Sequence, residues 1–380
     1  MNLTLVDRSG NTYPPALHRW RGDDGSPLHI EPGPGLRRSD IITSDLSMWR
    51  YRAALPAWPT PVSLGEGCTP LIKVDDDVPF FVKAEWANPT SSFKDRGVST
   101  MLSALTAQGA THILEDSSGN AGSSVAAYAS AAGIEATIVV PALTSAEKIE
   151  QIAAFGAGLV RVEGSRDDVA AEAIRRSATV AYASHNWNPF FLQGIKTIGY
   201  EIWENLGFEL PDNVVTVAGS GSIALGLELA FSELRSSGEV TRTPRIFIGQ
   251  PEGWDPIVAA IHGKVYAPTT YACLAEGASI SSPVRGKEVA RAVTHSGGTG
   301  VSVNDAEIAR STKFLMSRGL FAEPTSAVAH AAYSRLLASG AINATQQTVV
   351  VLTGTGLKAR DATRKALALA NGRPLGSTDV

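Results

Sequence analysis

Cysteine is nearly absent from this chain: 380 residues contain two, Cys68 and Cys273, far apart in sequence. That excludes a disulfide framework and a cysteine-rich metal cluster, and it fits a reducing compartment. An excess of basic charge is also lacking. Lys and Arg number 33 against 37 Asp and Glu, a formal net charge of −4, which leaves no electrostatic footprint for nucleic acid. Long apolar runs are missing. Stretches such as Thr137 to Leu143 fall far short of the roughly 20 residues that a membrane span needs. Met1 to Asn11 lacks the basic region and apolar run of a targeting segment. The expectation is a soluble, cytoplasmic protein with no nucleic-acid or membrane partner.

Core-forming residues, by contrast, are plentiful. The chain is 44% hydrophobic and 18% charged, enough to bury a large core. Its length suggests about two or three folding units. The first 45 residues are dense in Pro and Gly (Glu31-Pro32-Gly33-Pro34-Gly35) and read as an irregular extension. Beyond them, short β-branched runs alternate with longer helical patterns. Strands are predicted at Phe80–Ala84, Thr111–Leu114, Ala136–Val140, Leu159–Val162, Asn213–Ala218, Arg245–Ile248 and Thr348–Leu352. Helices are predicted at Gly97–Gln108, Ala121–Ala132, Ser145–Phe155, Arg166–Ser177, Ile195–Leu206 and Ile223–Ser236. Alternation of this kind, with strands nearly continuous in apolar residues, argues for an α/β protein with parallel sheets covered on both faces.

Four segments at predicted strand ends carry chemistry. In Asn88-Pro89-Thr90-Ser91-Ser92-Phe93-Lys94-Asp95-Arg96-Gly97 a turn leads into a helix, with Lys94 in its first turn. The helix dipole there disfavours a cation and helps to lower an amine's pKa, as a Schiff-base lysine requires; a surface lysine paired with Asp95 is the plain alternative. Ser117-Ser118-Gly119-Asn120-Ala121-Gly122 offers the amide of Asn120 at a strand's carboxyl end, where open α/β sheets bind ligands, or simply a turn and cap. Gly219-Ser220-Gly221-Ser222 lets backbone N–H groups approach an anion at a helix N-terminus. Gly219, Gly221 and Ala224 also fit a dinucleotide fingerprint, but Gly249-Gln250 after the next strand supplies no acidic ribose partner, so an isolated phosphate is favoured over a nicotinamide dehydrogenase. Thr353-Gly354-Thr355-Gly356-Leu357-Lys358 places the Thr353 hydroxyl after a strand. A lysine, an amide, a phosphate cradle and a hydroxyl are together what a pyridoxal phosphate site needs.

With these segments on the page, the chain closely resembles the threonine synthases, members of the fold type II, tryptophan synthase β-like, pyridoxal phosphate enzymes. Supporting stretches are Trp49-Arg50-Tyr51, Leu64-Gly65-Glu66-Gly67-Cys68-Thr69-Pro70-Leu71, Lys196-Thr197 and Glu323-Pro324-Thr325-Ser326-Ala327. The resemblance implies two parallel-sheet α/β domains with the cofactor in the cleft between them. A large domain would comprise 46–87 and 191–380, and a small mobile domain 88–190. It implies that Lys94 bears the cofactor and moves protons, that Asn120 meets the ring hydroxyl, that Gly219, Ser220, Gly221 and Ser222 hold the cofactor phosphate, and that Thr353 faces the ring nitrogen. Ser117, Ser118, Ala121 and Asn188 fall on the substrate side. It further implies conversion of O-phosphohomoserine and water to threonine and phosphate, in a homodimer.

The chain departs from the family's pattern at several points. Ala121 stands where a hydroxyl residue is usual, Phe190-Phe191 replaces the usual arginine region, Ile195 a glutamine, and Thr355 a histidine. Loss of hydroxyl and cationic donors weakens a grip on a phosphorylated substrate; His185, Lys196 and Arg166 are candidate replacements. These departures motivate a second expectation: β-elimination or β-replacement on a serine-like amino acid, by a dehydratase, ammonia-lyase or amino-acid synthase. A catalytically silent ligand-binding relative is a third, and the intact Lys94 argues against it. Asp7-Arg8-Ser9-Gly10 and Gly22-Asp23-Asp24-Gly25 resemble zinc-ribbon knuckles with every cysteine gone, so no metal is expected.

Overall fold

The computed structural model describes residues 3–372 except 17, 145 and 270. In chain order its strands and helices are β1 (Leu5–Val6), β2 (Thr12–Tyr13), β3 (His29–Ile30), β4 (Leu71–Val74), β5 (Phe80–Ala84), α1 (Lys94–Ala107), β6 (His112–Glu115), α2 (Asn120–Ala132), β7 (Glu135–Pro141), α3 (Ala146–Ala154), β8 (Gly158–Val162), α4 (Arg166–Arg176), β9 (Ala181–Tyr182), α5 (Pro189–Ile195), α6 (Thr197–Asn205), β10 (Asn213–Val217), α7 (Ser222–Ser236), β11 (Arg245–Pro251), α8 (Pro256–Ile261), α9 (Gly286–His295), β12 (Gly300–Val303), α10 (Asp305–Ser317), α11 (Pro324–Ala338), β13 (Thr348–Leu352) and α12 (Arg360–Ala370). They fall into two compact units, residues 1–68 with 88–197 and residues 69–87 with 198–380.

The second unit is built on a six-stranded sheet in the order β12-β11-β10-β13-β5-β4. All neighbours run parallel except β4 against β5. Every residue of β10 and β13 is buried. Both are rich in valine, as expected of strands covered on both faces, and their polar residues Asn213, Thr216 and Thr348 are buried in hydrogen bonds. Val82, Val215, Phe247, Val350 and Leu352 pack with Val328 and Ala332 of α11 into one core. Gly249 is required there, because a Cβ would meet the Val328 carbonyl oxygen at 2.9 Å.

The first unit carries a parallel sheet in the order β8-β7-β6-β9. Leu114, Val139, Val169, Ala173 and Tyr182 form its core together with Trp20. The Trp20 ring meets Tyr182 and Trp187 edge-on at 5.2 and 5.1 Å. Residues 46–68 group with this unit, whereas the expectation placed them with 69–87. The physical reason is buried Glu66. Its carboxylate accepts from Trp49 Nε1 (2.9 Å) and from the Tyr128 hydroxyl of α2 (2.7 Å), and Val62 N donates to Ser103 of α1 (2.8 Å).

The first 45 residues are more regular than their Pro and Gly content suggests. β1 pairs antiparallel with both β2 and β3. Buried Asp7 organises the turn between β1 and β2: it accepts from Ser9 N, Asn11 N, Asn11 Nδ2 and the Tyr13 hydroxyl at 2.7–3.0 Å. Burial acts to raise its pKa, but these hydrogen bonds prevail and hold the carboxyl below its ordinary value. The second turn is tied in by Asp23 N to the Tyr13 hydroxyl and by Ser9 to Asp24. Among the described residues no group of three His, Cys, Asp or Glu is placed to hold a metal.

The helix expected over Ile195–Leu206 is α6, and a separate helix, α5, precedes it. Asn188 caps α5 with Pro189 at its first position, and the Thr197 hydroxyl donates to the Gly194 carbonyl at 2.6 Å. That side-chain bond competes with the backbone ladder, and the chain starts afresh as α6.

Candidate active site

In the first unit, Lys94 is the opening residue of α1, after a turn that puts Ser91 at φ +64°. A positive φ at a residue other than Gly costs energy and is held only where the surroundings compensate. Here Asp95 compensates. It is fully buried and accepts from Thr90 N and the Thr90 hydroxyl, and from Ser124 of α2, each at 2.6 Å. These bonds hold the turn, the start of α1 and α2 in one arrangement. Lys94 is half-buried, its Nζ 4.8 Å from the Phe93 ring centroid and 5.6 Å from that of Phe191. Gly97, one turn along, must be Gly: a Cβ would lie 2.5 Å from the Phe191 ring.

The segment after β6 closes over the start of α2. Gly122 admits this, since a Cβ there would fall inside the Ser117 carbonyl. Ser117, Ser118 and Asn120 remain partly accessible and Ala121 is buried. Asn188 is buried and its side-chain oxygen accepts from Phe190 N at 3.0 Å, so the cap of α5 already engages it.

Beside Lys94 the structure places a group that the motifs did not announce. Glu115, the last residue of β6, is completely buried. Its carboxyl meets His185 Nδ1 at 2.7 Å and accepts from the His185 backbone N at 3.2 Å. Burial pushes Glu115 up to about 8, against the opposing effects of the His185 backbone bond and the charges of Arg166 and Lys94. Burial, and then the Lys94 charge, push His185 well below its ordinary value. Next in sequence, Asp116 accepts from the Tyr182 hydroxyl at 2.8 Å and lies 3.8 Å from Arg166. Burial and the neighbouring Glu115 raise its pKa as well. The local sequence carries no signal of this; only the sheet order, with β9 beside β6, encloses them.

In the second unit, Gly219–Ser222 joins β10 to α7. Gly221 has φ +81°, and a Cβ on Gly219 would press on Gly277 O and Ala278 Cα at 3.0 and 3.1 Å. Gly221 is therefore required, a Cβ there also meeting the Val289 side chain, while a side chain at position 219 would be tight. No side chain caps α7, so its first N–H groups have no side-chain acceptor. Thr353 follows β13 and is buried; its hydroxyl donates to Glu323 at 3.2 Å and lies 2.9 Å from the Ser326 hydroxyl. Ser326 also accepts from the backbone N of Thr353 and Gly354. Glu323 and Ser326 lie in a stretch that drew attention as a motif without a role; the structure assigns them the shaping of the Thr353 turn.

These residues fit the pyridoxal phosphate that the resemblance implies. Ser92 Oγ, two residues before Lys94, is fully buried without a hydrogen-bond partner. An unmet buried hydroxyl costs about 1–3 kcal/mol, and a bound polar group would relieve it. The uncapped α7 with its glycine cradle suits a phosphate.

Residues 62–354 match the family described as "Pyridoxal-phosphate dependent enzyme". The threonine synthase of Methanocaldococcus jannaschii is 32% identical over 337 residues, 85% of this chain and 83% of that protein. That of Methanosarcina acetivorans is 33% identical over 325 residues, 82% of this chain and 80% of that protein. Among solved structures, the processed form of threonine deaminase isoform 2 from Solanum lycopersicum superposes with a TM-score of 0.68 at 22% identity, covering 80% of this chain and 88% of that one.

Proposed function

Because the chain belongs to the fold type II pyridoxal-phosphate dependent enzymes, within the threonine synthase family, we infer that it expels a side-chain substituent from a small α-amino acid and adds water or another nucleophile in its place. It is a lyase and its cofactor is pyridoxal phosphate. When bound, that cofactor supplies a sink for the electron pair released at the substrate's Cα. Lys94 Nζ would hold the cofactor and then take and return the proton at Cα. Asn120 would meet the ring hydroxyl, the N–H groups of Gly219–Ser222 the cofactor phosphate, and Thr353 the ring nitrogen. Ser117, Ser118, Ala121 and Asn188 would lie toward the substrate.

The observation that carries this inference is the placement of Lys94. An amine between two aromatic rings, at a helix start braced by Asp95, is held for chemistry rather than for solvation. The first candidate reaction is O-phosphohomoserine plus water to threonine plus phosphate, supported by identities of 32% and 33% to threonine synthases over more than four-fifths of the chain. Its test is phosphate release and threonine formation by cofactor-loaded protein, expected in equal amounts and abolished in Lys94→Ala together with the visible absorbance. An unchanged absorbance and turnover in Lys94→Ala would overturn the assignment of the lysine.

A second candidate, β-elimination or β-replacement on a serine-like amino acid, is favoured by one specific observation. The groups flanking Lys94 include Phe93, Phe191 and the buried Glu115–His185 pair, a setting that suits a neutral substituent better than a phosphate dianion. Keto acid from serine, with no use of O-phosphohomoserine, would select it. The scarcity of cysteine supports a cytoplasmic setting. The family resemblance supports a homodimer, which light scattering would test.

A further inference from the structure

Glu115 and His185 are 70 residues apart in sequence and form one closed unit in the fold. Glu115 is fully enclosed, and His185 is exposed by 8%. Nδ1 of the imidazole is engaged by the carboxyl, and among the described residues the ring makes no other hydrogen bond. The His185 ring meets Phe191 edge-on at 5.9 Å, and the same Phe191 ring lies 5.6 Å from Lys94 Nζ. The lysine and the imidazole thus share a wall. The other ionisable groups around the pair are Asp116, engaged by Tyr182, and Arg166, 3.8 Å from Asp116 and half exposed.

Enclosure of a carboxyl against an imidazole has a chemical consequence. Separated charges are costly where water is excluded, so the pair's stable form is a carboxylic acid donating to a neutral imidazole. The shift of Glu115 to about 8 agrees with that form. A neutral imidazole with its Nδ1 occupied as acceptor carries its own proton on Nε2. Behind it stands a second proton, on Glu115, ready to replace the first.

We propose that the Glu115–His185 pair is a proton donor to the substrate's leaving group, and that it directs the enzyme to amino acids that lose a hydroxyl from Cβ. This rests on the lyase chemistry inferred above and decides for its second candidate. The step balances as follows. Lys94 Nζ takes the proton from Cα, and that bonding pair becomes the new Cα–Cβ double bond. The Cβ–O bond breaks with its electron pair on oxygen. His185 Nε2 gives its proton to that oxygen, which leaves as water, while Nδ1 takes the proton of Glu115. Water later returns a proton to Nε2, and the Nδ1 proton passes back to Glu115. A phosphate or halide leaves as a stable anion and needs no such donor, whereas hydroxide is a poor leaving group unless it is protonated.

The experiment compares L-serine with β-chloro-L-alanine on cofactor-loaded wild type and Glu115→Gln. Glutamine keeps the size and can donate to Nδ1, but it has no proton to pass on. Expected is a fall of about 100-fold in serine turnover in the variant, the low end of what a general acid contributes, against no more than a few-fold for chloroalanine. Equal losses on both substrates would make Glu115 structural and overturn the proposal. So would wild type that turns over chloroalanine but not serine, a result that leaves the lyase inference standing. Turnover of neither substrate by visibly loaded wild type would also overturn the proposal, and phosphate release from O-phosphohomoserine would then decide whether the lyase inference stands. An independent readout is the ¹⁵N spectrum of labelled His185: a neutral ring with its proton on Nε2 at pH 7 is expected, and an imidazolium would overturn the proposal.

Discussion

The protonation of Glu115 has a measurable cost in stability, and its sign can be worked out from the two partners. The Glu115 pKa rises on folding from 4.5 to about 8. The folded chain therefore keeps a proton that the unfolded chain gives up, and the stability this contributes is complete below 4.5 and lost as pH rises through 8. The His185 pKa falls well below 6.5. The unfolded chain thus holds a proton below 6.5 that the folded chain does not, a penalty that disappears above 6.5. Between pH 4.5 and 6.5 the two effects oppose each other and largely cancel. Between 6.5 and about 8 only Glu115 acts, over a window of about 1.5 pH units. At about 1.36 kcal/mol per unit, wild type should lose about 2 kcal/mol of stability across that window relative to Glu115→Gln. Urea unfolding at a series of pH values, followed by tryptophan fluorescence, reads the difference directly. A difference that stays flat from pH 6.5 to 8 would mean that Glu115 is already ionised in the folded chain, and the assignment of a neutral pair would fail.

Three further outcomes are expected. Gly194→Ala should cost about 3 kcal/mol or prevent soluble expression, because the methyl would fall inside the Arg96 carbonyl where α5 crosses α1; an unchanged Tm would show that the two helices can separate without penalty. Lys83→Met should cost about 3–5 kcal/mol in thermal or urea unfolding. The Lys83 ammonium is fully buried, 2.8 Å from Glu201 and 2.7 Å from the Thr69 carbonyl, and its loss strands the Glu201 charge; a loss below about 1 kcal/mol would mean that water reaches the site. Chelator treatment should leave Tm unchanged while Asp7→Leu lowers it, because the four hydrogen bonds on Asp7 hold the N-terminal turn. A Tm drop on chelation would point to a bound metal instead.

Much of this protein follows from local sequence. Phe80–Ala84 and Thr348–Leu352 are legible to the residue, because a largely buried strand is mostly apolar with sharp ends, Lys83 being the buried exception. The glycine loop 219–222 is legible because the positive φ and close packing at Gly221 admit only Gly. Lys94 and Asn120 stand out because each sits at a turn into a helix. Other elements escape such a reading. Leu71–Val74 and Gly300–Val303 lie at the edges of the six-stranded sheet, where short partly exposed strands carry no distinctive run. The small N-terminal sheet depends on the hydrogen bonds of one carboxylate rather than on any periodicity.

What the sequence determined alone was therefore the class of fold and the cofactor, since each is written in residues adjacent in the chain. What only the tertiary structure decided was the company Lys94 keeps. Glu115 and Asp116 carry no signal in the local sequence; β9 pairs with β6 and brings Tyr182 and His185 against them. Burial then turns an acid and a base distant in sequence into one neutral, proton-carrying pair. Desolvation depends on what surrounds a group in space, and no local pattern of residues encodes it.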